Sequence, residues 1–324
     1  MPATDDRAPT GRALPDLSRR SLLRGAAALG VVGTAGGFGL TACGSGDDGR
    51  ASDGPGATLT PGGEGLEPSW SLVSMTDTAS SVAAGSEARV AFGVAEPSGG
   101  LVVDAPAELE FRVVDDGGAE VVGGLAVARH DRGLPRAYYP VRFTPPAAGI
   151  YTAYTEVEGT EIEASFQVSD AGDIVVPQAG QAFPATTTPT GGAPGGVDPI
   201  CTRDPECGLH EVDVATAVGT TPLAILVSTP AFCTAAICGP VLDVLLGARE
   251  AAPHVTFVHV EVYASAEEVG EAGPGNATLA PAVDAWKLPY EPCLFLVGSD
   301  GTLHRRLDVI FDGDELAEAL ADLA

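Results

Sequence analysis

The feature of this chain that most constrains its fold is a continuous apolar run that leads into two cysteines. Residues 222–228 read Pro-Leu-Ala-Ile-Leu-Val-Ser, with a turn-forming residue at each end. Such a run, without polar alternation, is typical of a strand buried on both faces of a sheet. Cys233 and Cys238 follow directly, and we expect Cys233 to open a helix that extends from residue 231 to about residue 252. The sequence therefore predicts a sheet covered by helices, with a cysteine where the first long helix begins.

The rest of the C-terminal part, residues 173–324, alternates predicted strands and helices. Leu279, Val283 and Trp286 are spaced i, i+4, i+7, as on one face of a short helix. Asp312 and Glu315 have the spacing of a capping box at the start of the last helix. Further strands are predicted over residues 254–263, 293–297 and 302–309. The order β-α-β-α-β-β-α predicts an α/β domain with a mixed sheet and helices on both faces.

Residues 69–170 have the pattern of an all-β domain. Leu109, Phe111 and Val113 alternate with polar residues, as in a strand with one buried face. Turn signals separate further short strands, predicted at residues 121–122, 139–143, 151–157 and 162–168. Residues 146–151, Pro-Ala-Ala-Gly-Ile-Tyr, resemble the start of a strand in immunoglobulin-like domains. The resemblance implies an immunoglobulin-like β-sandwich, although residues 69–170 contain no cysteine for that family's inter-sheet disulfide.

The charge balance argues against two kinds of partner. The chain has 17 Lys and Arg against 44 Asp and Glu, for a net charge of −27. Because phosphate binding needs a basic face, we expect no nucleic acid partner and no polybasic membrane patch.

The first 42 residues have the pattern of an export signal. Arg19 and Arg20 precede an uncharged stretch over residues 25–40, and the pair resembles a twin-arginine signal. Residues 40–43, Leu-Thr-Ala-Cys, resemble a bacterial lipobox, which implies cleavage before Cys43 and lipid attachment to it. Residues 43–68 are rich in small and polar residues, as in a flexible tether. We therefore expect an extracytoplasmic lipoprotein, anchored to the cell membrane through Cys43.

The cysteine motif resembles the active site of thioredoxin-like proteins. Residues 228–240 read Ser-Thr-Pro-Ala-Phe-Cys-Thr-Ala-Ala-Ile-Cys-Gly-Pro, and in that family the first cysteine is the nucleophile and the second resolves the mixed disulfide. The family also has a cis-proline just before a later strand, a position that Pro292 matches. The resemblance covers about residues 173–324 and implies catalytic Cys233 and Cys238, with a substrate groove formed by Phe232, Glu291, Pro292 and Cys293.

The spacing departs from that family, which has two residues between its cysteines where this chain has four. Five positions along a regular helix separate Cα atoms by about 8 Å, whereas a disulfide needs them within roughly 7 Å. Pairing of Cys233 with Cys238 therefore requires a loop or a locally unwound first turn.

Two alternatives to an oxidoreductase stay open. The spacing is similar to the peroxidatic and resolving pair of bacterioferritin-comigratory peroxiredoxins, although that family's proline, threonine and arginine are not matched. The other alternative is a non-catalytic thioredoxin-like binding module in which Cys233–Cys238 is a structural bridge. Copper delivery of the kind carried out by cytochrome-oxidase assembly proteins is disfavoured, because those proteins have three residues between their cysteines.

The remaining cysteines have simpler interpretations. Cys201 and Cys207 are predicted to form a local structural disulfide. Zinc binding through Cys201, Cys207 and His210 lacks an evident fourth ligand, and His254, His259 and His304 are interpreted as ordinary strand residues, so no metal is predicted. Cys293 is either a small buried apolar residue or a third thiol facing the main pair.

The sequence as a whole predicts a membrane-anchored thiol–disulfide oxidoreductase outside the cytoplasm. Its partners would be the thiols and disulfides of exported proteins and an electron donor or acceptor. No cofactor is expected, because cysteine sulfur alone carries this chemistry.

Overall fold

The computed structural model describes residues 69–323 of the chain. The signal predicted for residues 1–42, the lipid attachment site Cys43 and the tether predicted for residues 43–68 lie outside the described residues. Within residues 69–323, no helix is both long enough and apolar enough to span a bilayer.

Seven strands in the first part of the described chain form two sheets around a shared core. The elements are β1 (Ser71–Ser74), α1 (Thr78–Ser81), β2 (Ala88–Ala95), β3 (Glu108–Asp115), β4 (Glu120–Ala128), β5 (Tyr139–Phe143), β6 (Gly149–Val157) and β7 (Thr160–Val168). One sheet has the order β1-β2-β5 and the other β4-β3-β6-β7. All paired strands are antiparallel. The prediction of a β-sandwich is confirmed at this level, as two antiparallel sheets packed face to face.

Alternation along β3 builds the core of the sandwich. Leu109, Phe111 and Val113 are at most 5% exposed, whereas Glu108 and Glu110 face solvent. The ring of Phe111 stacks on that of Phe92 from the other sheet, with centroids 5.7 Å apart. Burial of each such side chain contributes about 1.5–3 kcal/mol.

Four strands of the C-terminal part form a separate sheet surrounded by helices. The elements are α2 (Val214–Ala217), β8 (Leu223–Val227), α3 (Cys238–Ala248), β9 (Thr256–Val260), α4 (Ala266–Ala272), α5 (Pro281–Ala285), β10 (Cys293–Val297), β11 (Leu303–Asp308) and α6 (Gly313–Ala321). The strand order is β11-β10-β8-β9. Strand β8 is parallel to β9 and antiparallel to β10, so the sheet is mixed.

Both faces of this sheet are buried, which explains the unbroken apolar run of β8. Ala224 and Leu226 contribute to the core that contains side chains of α3 and α6. Leu223, Ile225 and Val227 contribute to the opposite core, which contains α5 and Trp286. The central position of β8 follows from this double burial.

The sandwich and the C-terminal part belong to one compact unit, residues 68–324. Arg89 of β2 donates two hydrogen bonds to the carboxylate of Glu315 in α6, both at 2.6 Å. The Tyr138 hydroxyl and the Arg142 guanidinium donate to the same carboxylate. Because Arg89 and Glu315 are 9% and 2% exposed, this ion pair is buried between the sandwich and the C-terminal part.

Four helices differ from the sequence prediction, and two of them, α1 and α2, are single turns that were not predicted. The helix expected from residue 231 begins only at Cys238 and ends at Ala248, because Ala236 adopts a left-handed φ of 53° that a helix cannot contain. Helix α4 was not predicted. Its N-cap is Ser265, whose side chain accepts a hydrogen bond from the backbone N–H of Glu268.

Candidate functional site

Cys233 lies in the loop between β8 and α3. Its side chain is half-buried, whereas Cys238, the first residue of α3, is 0% exposed. The N–H of Ala236 donates to the carbonyl of Cys233 at 3.1 Å, closing a turn. The N–H of Cys238, which has no partner within the helix, donates to Cys233 Sγ at 3.4 Å. The expectation that Cys233 opens the helix is therefore wrong, and the loop supplies the break that the four-residue spacing requires.

This arrangement separates the acidities of the two thiols. A hydrogen bond from Cys238 and the backbone N–H groups of residues 235, 237 and 238 lower the pKa of Cys233 to about 6, against the opposing effect of burial. The hydrogen bond to Cys233, burial and the nearby Glu291 carboxylate raise the pKa of Cys238. Both cysteines are free thiols in this structure. The site therefore pairs a partly accessible thiolate with a buried thiol.

The predicted groove residues differ in their exposure and in their contacts. Phe232 is half-buried, and its ring meets that of Tyr263 edge to face at 6.3 Å. Glu291 is half-buried and Pro292 is buried, and the peptide bond between them is cis. The carbonyl of Pro292 accepts a hydrogen bond from the N–H of Val309 at 2.8 Å.

Cys293 does not belong to the groove. It is 0% exposed and packs in the core that contains Trp286, whereas Cys233 packs against the core on the other side of the sheet. Side chains alternate along β10, so the residue after Pro292 points away from the pair. Burial and the Asp308 carboxylate raise the pKa of the Cys293 thiol well above its usual value. The alternative interpretation of Cys293, as a small buried apolar residue, is the one that this structure matches.

The sandwich contributes to the surroundings of the loop, a contact that the sequence does not predict. Arg136 donates a hydrogen bond to the carbonyl of Ala235 at 3.2 Å. Met75 and Leu134 pack against the same core as Cys233. The local sequence around Arg136 carries no signal for this contact, because it depends on how the two parts dock.

Cys201 and Cys207 lie in a second cluster, together with His210 and His259. The two sulfurs are 3.6 Å apart and unbonded, so the predicted disulfide is not formed in this structure. Two imidazoles converge on the sulfurs instead. Cys207 Sγ lies 3.3 Å from His210 Nε2 and 3.4 Å from His259 Nδ1, and these two nitrogens are 3.2 Å apart.

The fold explains why these four residues meet. His259 lies on β9, an edge strand of the sheet, and its N–H donates to the carbonyl of Leu209 at 3.0 Å. That bond holds the preceding loop against the strand. Gly208, with a φ of 69°, turns the chain between Cys207 and His210. His259 is a strand residue, as predicted, and its ring contacts Cys207 Sγ because the loop covers the edge of the sheet at this point.

The loop that contains Cys201 is also tied to the loop that contains Cys233. Thr202 donates hydrogen bonds to the buried carboxylate of Glu261 from its N–H at 2.7 Å and from its hydroxyl at 2.6 Å. The same hydroxyl accepts from the N–H of Ala231 at 3.2 Å, two residues before Cys233. Thr202 therefore connects the two cysteine clusters.

The chain is similar to some solved structures but not to any known protein family. No protein-family model matches it, and no curated protein matches it. Among solved structures, it is similar to the Lin-41 filamin domain, with 16% identity over 31% of this chain and 91% of that chain, and a TM-score of 0.22. It is also similar to the PKD domain of the human VPS10 domain-containing receptor SorCS2, with 20% identity over 42% of this chain and 98% of that chain, and a TM-score of 0.17.

Proposed function

We propose that the protein catalyses thiol–disulfide exchange at Cys233 and Cys238. One observation carries this proposal: a partly accessible sulfur accepts the free N–H at the start of α3, directly beside a buried second thiol. The thiolate is the nucleophile in disulfide exchange, and a neighbouring thiol is needed to release the mixed disulfide. Cys233 and Cys238 meet these two requirements.

The exchange balances in two steps. The Cys233 thiolate attacks one sulfur of a substrate disulfide, forming a mixed disulfide and releasing one substrate thiolate, which takes up a proton. Cys238 then loses its proton and attacks Cys233 Sγ, which releases the second substrate thiol. The substrate gains two electrons and two protons, and the protein becomes a Cys233–Cys238 disulfide. A dithiol partner restores the reduced pair by the same steps in reverse.

The C-terminal fold supports a thioredoxin-like assignment as part of this proposal. A central strand leads into the cysteine loop and a long helix, and the sheet is mixed with apolar cores on both faces. Pro292 and Glu291 would border the substrate groove. The sandwich would be an immunoglobulin-like module whose Arg136 braces the loop.

The proposed clients follow from the proposed location. The export signal and the lipobox predicted for residues 1–43 would locate the protein at the outer side of the cell membrane, where disulfides persist. Exported proteins would supply the thiols and disulfides that Cys233 exchanges.

Activity of single-cysteine variants tests the proposal. In insulin-reduction and dithiol-oxidation assays, Cys233→Ser is expected to abolish activity. Cys238→Ser is expected to accumulate a mixed disulfide on Cys233, because the resolving thiol is missing. Cys293→Ala is the matched control and is expected to retain activity, since it lies in the other core. Activity of Cys233→Ser equal to that of the unmodified protein would refute the assignment.

A further inference from the structure

We infer that Cys201, Cys207, His210 and His259 bind a zinc ion, at a site distinct from the Cys233–Cys238 pair. One ligand atom from each of the four residues lies within 4.8 Å of all the others. The set has two sulfurs and two imidazole nitrogens, a combination that selects a tetrahedral, thiophilic ion.

The distances between the four atoms match a tetrahedron around zinc. With zinc–sulfur bonds of about 2.3 Å and zinc–nitrogen bonds of about 2.0–2.1 Å, the edges are about 3.8 Å between sulfurs and about 3.3 Å between nitrogens. The structure has 3.6 Å between the sulfurs and 3.2 Å between the nitrogens. The sulfur–nitrogen edges should be about 3.6 Å, and those from His259 Nδ1 are 3.4 Å to Cys207 and 4.0 Å to Cys201. A sphere of zinc's size therefore fits at the centre without moving the ligands far.

Hydrogen bonds outside the cluster leave the correct nitrogen of His259 available. Its Nε2 lies 3.2 Å from the carbonyl oxygen of Ser228 and 2.9 Å from the hydroxyl. A carbonyl only accepts, so Nε2 carries the proton and the lone pair remains on Nδ1, which faces the sulfurs. A second hydrogen bond of this kind is the usual partner of a metal-binding histidine.

Burial and charge favour a structural ion over an open catalytic one. The four ligands are 5%, 7%, 7% and 0% exposed in the order Cys201, Cys207, His210 and His259. Four protein ligands close a zinc site and leave no position for water. Two thiolates would neutralise the double positive charge of zinc, which a buried site requires.

The ion would fasten the loop of residues 201–210 to the edge strand β9. Because Thr202 binds Ala231, this anchor also fixes one side of the loop that positions Cys233. The inference does not depend on thiol exchange, and metal binding is expected to persist where exchange is lost.

The test is the metal content of the full chain purified anaerobically without chelators. We expect one equivalent of zinc per chain by elemental mass spectrometry, and the same content in the Cys233→Ser/Cys238→Ser double variant. His259→Ala should lose the ion. His254→Ala is the matched control, because His254 is exposed on the surface, and should retain it.

Cobalt substitution of the unmodified protein tests the ligand set without a variant. Replacement of zinc by Co²⁺ should give the visible d–d bands of a tetrahedral ion and a near-ultraviolet thiolate charge-transfer band. Failure to bind added Zn²⁺, binding of copper alone, or a Cys201–Cys207 disulfide in the anaerobically purified protein would overturn the inference. Each of these outcomes leaves the assay of Cys233 unaffected, so the two proposals fail separately.

Discussion

The reactivity of Cys233 depends on a few hydrogen bonds to one sulfur atom. A cysteine with an ordinary pKa is only a few per cent thiolate at pH 7, whereas one with a pKa of about 6 is about nine-tenths thiolate. The N–H of Cys238 supplies part of this effect because it has no acceptor in the helix. The left-handed conformation of Ala236 completes the turn that brings this N–H to the sulfur.

The alkylation rate of Cys233 is expected to follow this lowered pKa. In the reduced Cys238→Ala variant, the thiol hydrogen bond is removed and only the backbone donors remain, so the half-maximal pH should rise above that of the unmodified protein. For the unmodified protein, the rate with iodoacetamide should reach half its maximum near pH 6. Half-maximal pH values near 9 in both proteins would show that the loop does not stabilise the thiolate.

Cys293 is expected to resist modification that labels Cys233. Its thiol is fully buried and its pKa is raised by burial and by Asp308. Peptide mapping after iodoacetamide treatment of the native, reduced protein should find Cys293 unlabelled, and labelled only after unfolding in urea. Labelling of Cys293 in the native protein at a rate close to that of Cys233 would contradict its position in the core.

At the residue scale, the sequence was informative where function depends on neighbours in the chain. Cys233 and Cys238 are five positions apart, and their local pattern is visible without the fold. His259 is 52 positions from Cys207, and only the docking of the loop on β9 brings them together. Cys293 was misplaced in the groove because its neighbour Pro292 was matched to a family position, whereas strand alternation turns its side chain to the other face.

At the scale of elements, the start of α6 combines capping with an ion pair. One half of the predicted capping box is confirmed, because the Asp312 side chain accepts hydrogen bonds from the N–H groups of Asp314 and Glu315. The Glu315 carboxylate does not reach back to the Asp312 N–H, as a capping box requires. It binds Arg89, and the Asp312 N–H donates to the Tyr138 hydroxyl instead. The sandwich therefore completes the helix terminus.

Glu315→Gln is expected to lower the free energy of unfolding by about 3–5 kcal/mol, because it leaves the buried Arg89 charge without a counterion. Glu318→Gln is the matched control on the same helix. Its partner is Arg305 and its side chain is 66% exposed, so the expected loss is under about 1 kcal/mol. Urea unfolding at pH 7 measures both, and equal losses would show that the ion pair is not buried.

The stabilisation by Glu315 should also depend on pH. Burial raises the pKa of Glu315 in the folded protein, but the charge of Arg89 and its hydrogen bonds outweigh this effect and lower the pKa. Because its pKa is lower in the folded protein, the charged Glu315 carboxylate stabilises the fold at pH values above its unfolded pKa of about 4.3. This stabilisation is lost as the pH falls through the folded pKa. The stability difference between Glu315→Gln and the unmodified protein should therefore shrink below about pH 4. A difference that does not change between pH 7 and pH 3 would contradict this.

The elements were predictable where a local period or a cap defines them. Strand β3 shows its alternation in the sequence, and β5 and β10 have the predicted bounds. Helix α4 also had a signal, because Ser265 and Glu268 have the spacing of a capping box. The prediction of helix for residues 231–237 is wrong, because no pattern in the sequence indicates that Ala236 is left-handed.

At the scale of the whole molecule, the sandwich and the C-terminal part share buried polar contacts. Arg306 of β11 donates a hydrogen bond to the carbonyl of Ser81 in α1 at 2.9 Å. Arg89 also donates to the carbonyl of Ile310 at 2.6 Å. Separating the two parts would leave these groups unpaired, so we expect them to unfold together.

Pulsed hydrogen exchange in increasing urea, read by peptide mass spectrometry, tests this cooperativity. Peptides from β2 and from β8 are expected to become exchangeable at the same urea concentration. Two separate midpoints would show that the parts unfold independently and that the buried contacts contribute little to stability.

The reduction potential of the Cys233–Cys238 pair tests the central proposal most directly. It is measured by equilibrating the protein with glutathione or dithiothreitol redox buffers and trapping the free thiols at each ratio. A pair that exchanges with substrates is expected to have a potential well above about −300 mV, and a structural bridge one below it. A value well above this limit is expected if Cys233 and Cys238 exchange disulfides with a substrate. A value below it, or a pair that cannot be reduced without unfolding, would rule out exchange and would favour a non-catalytic binding module with a structural Cys233–Cys238 bridge.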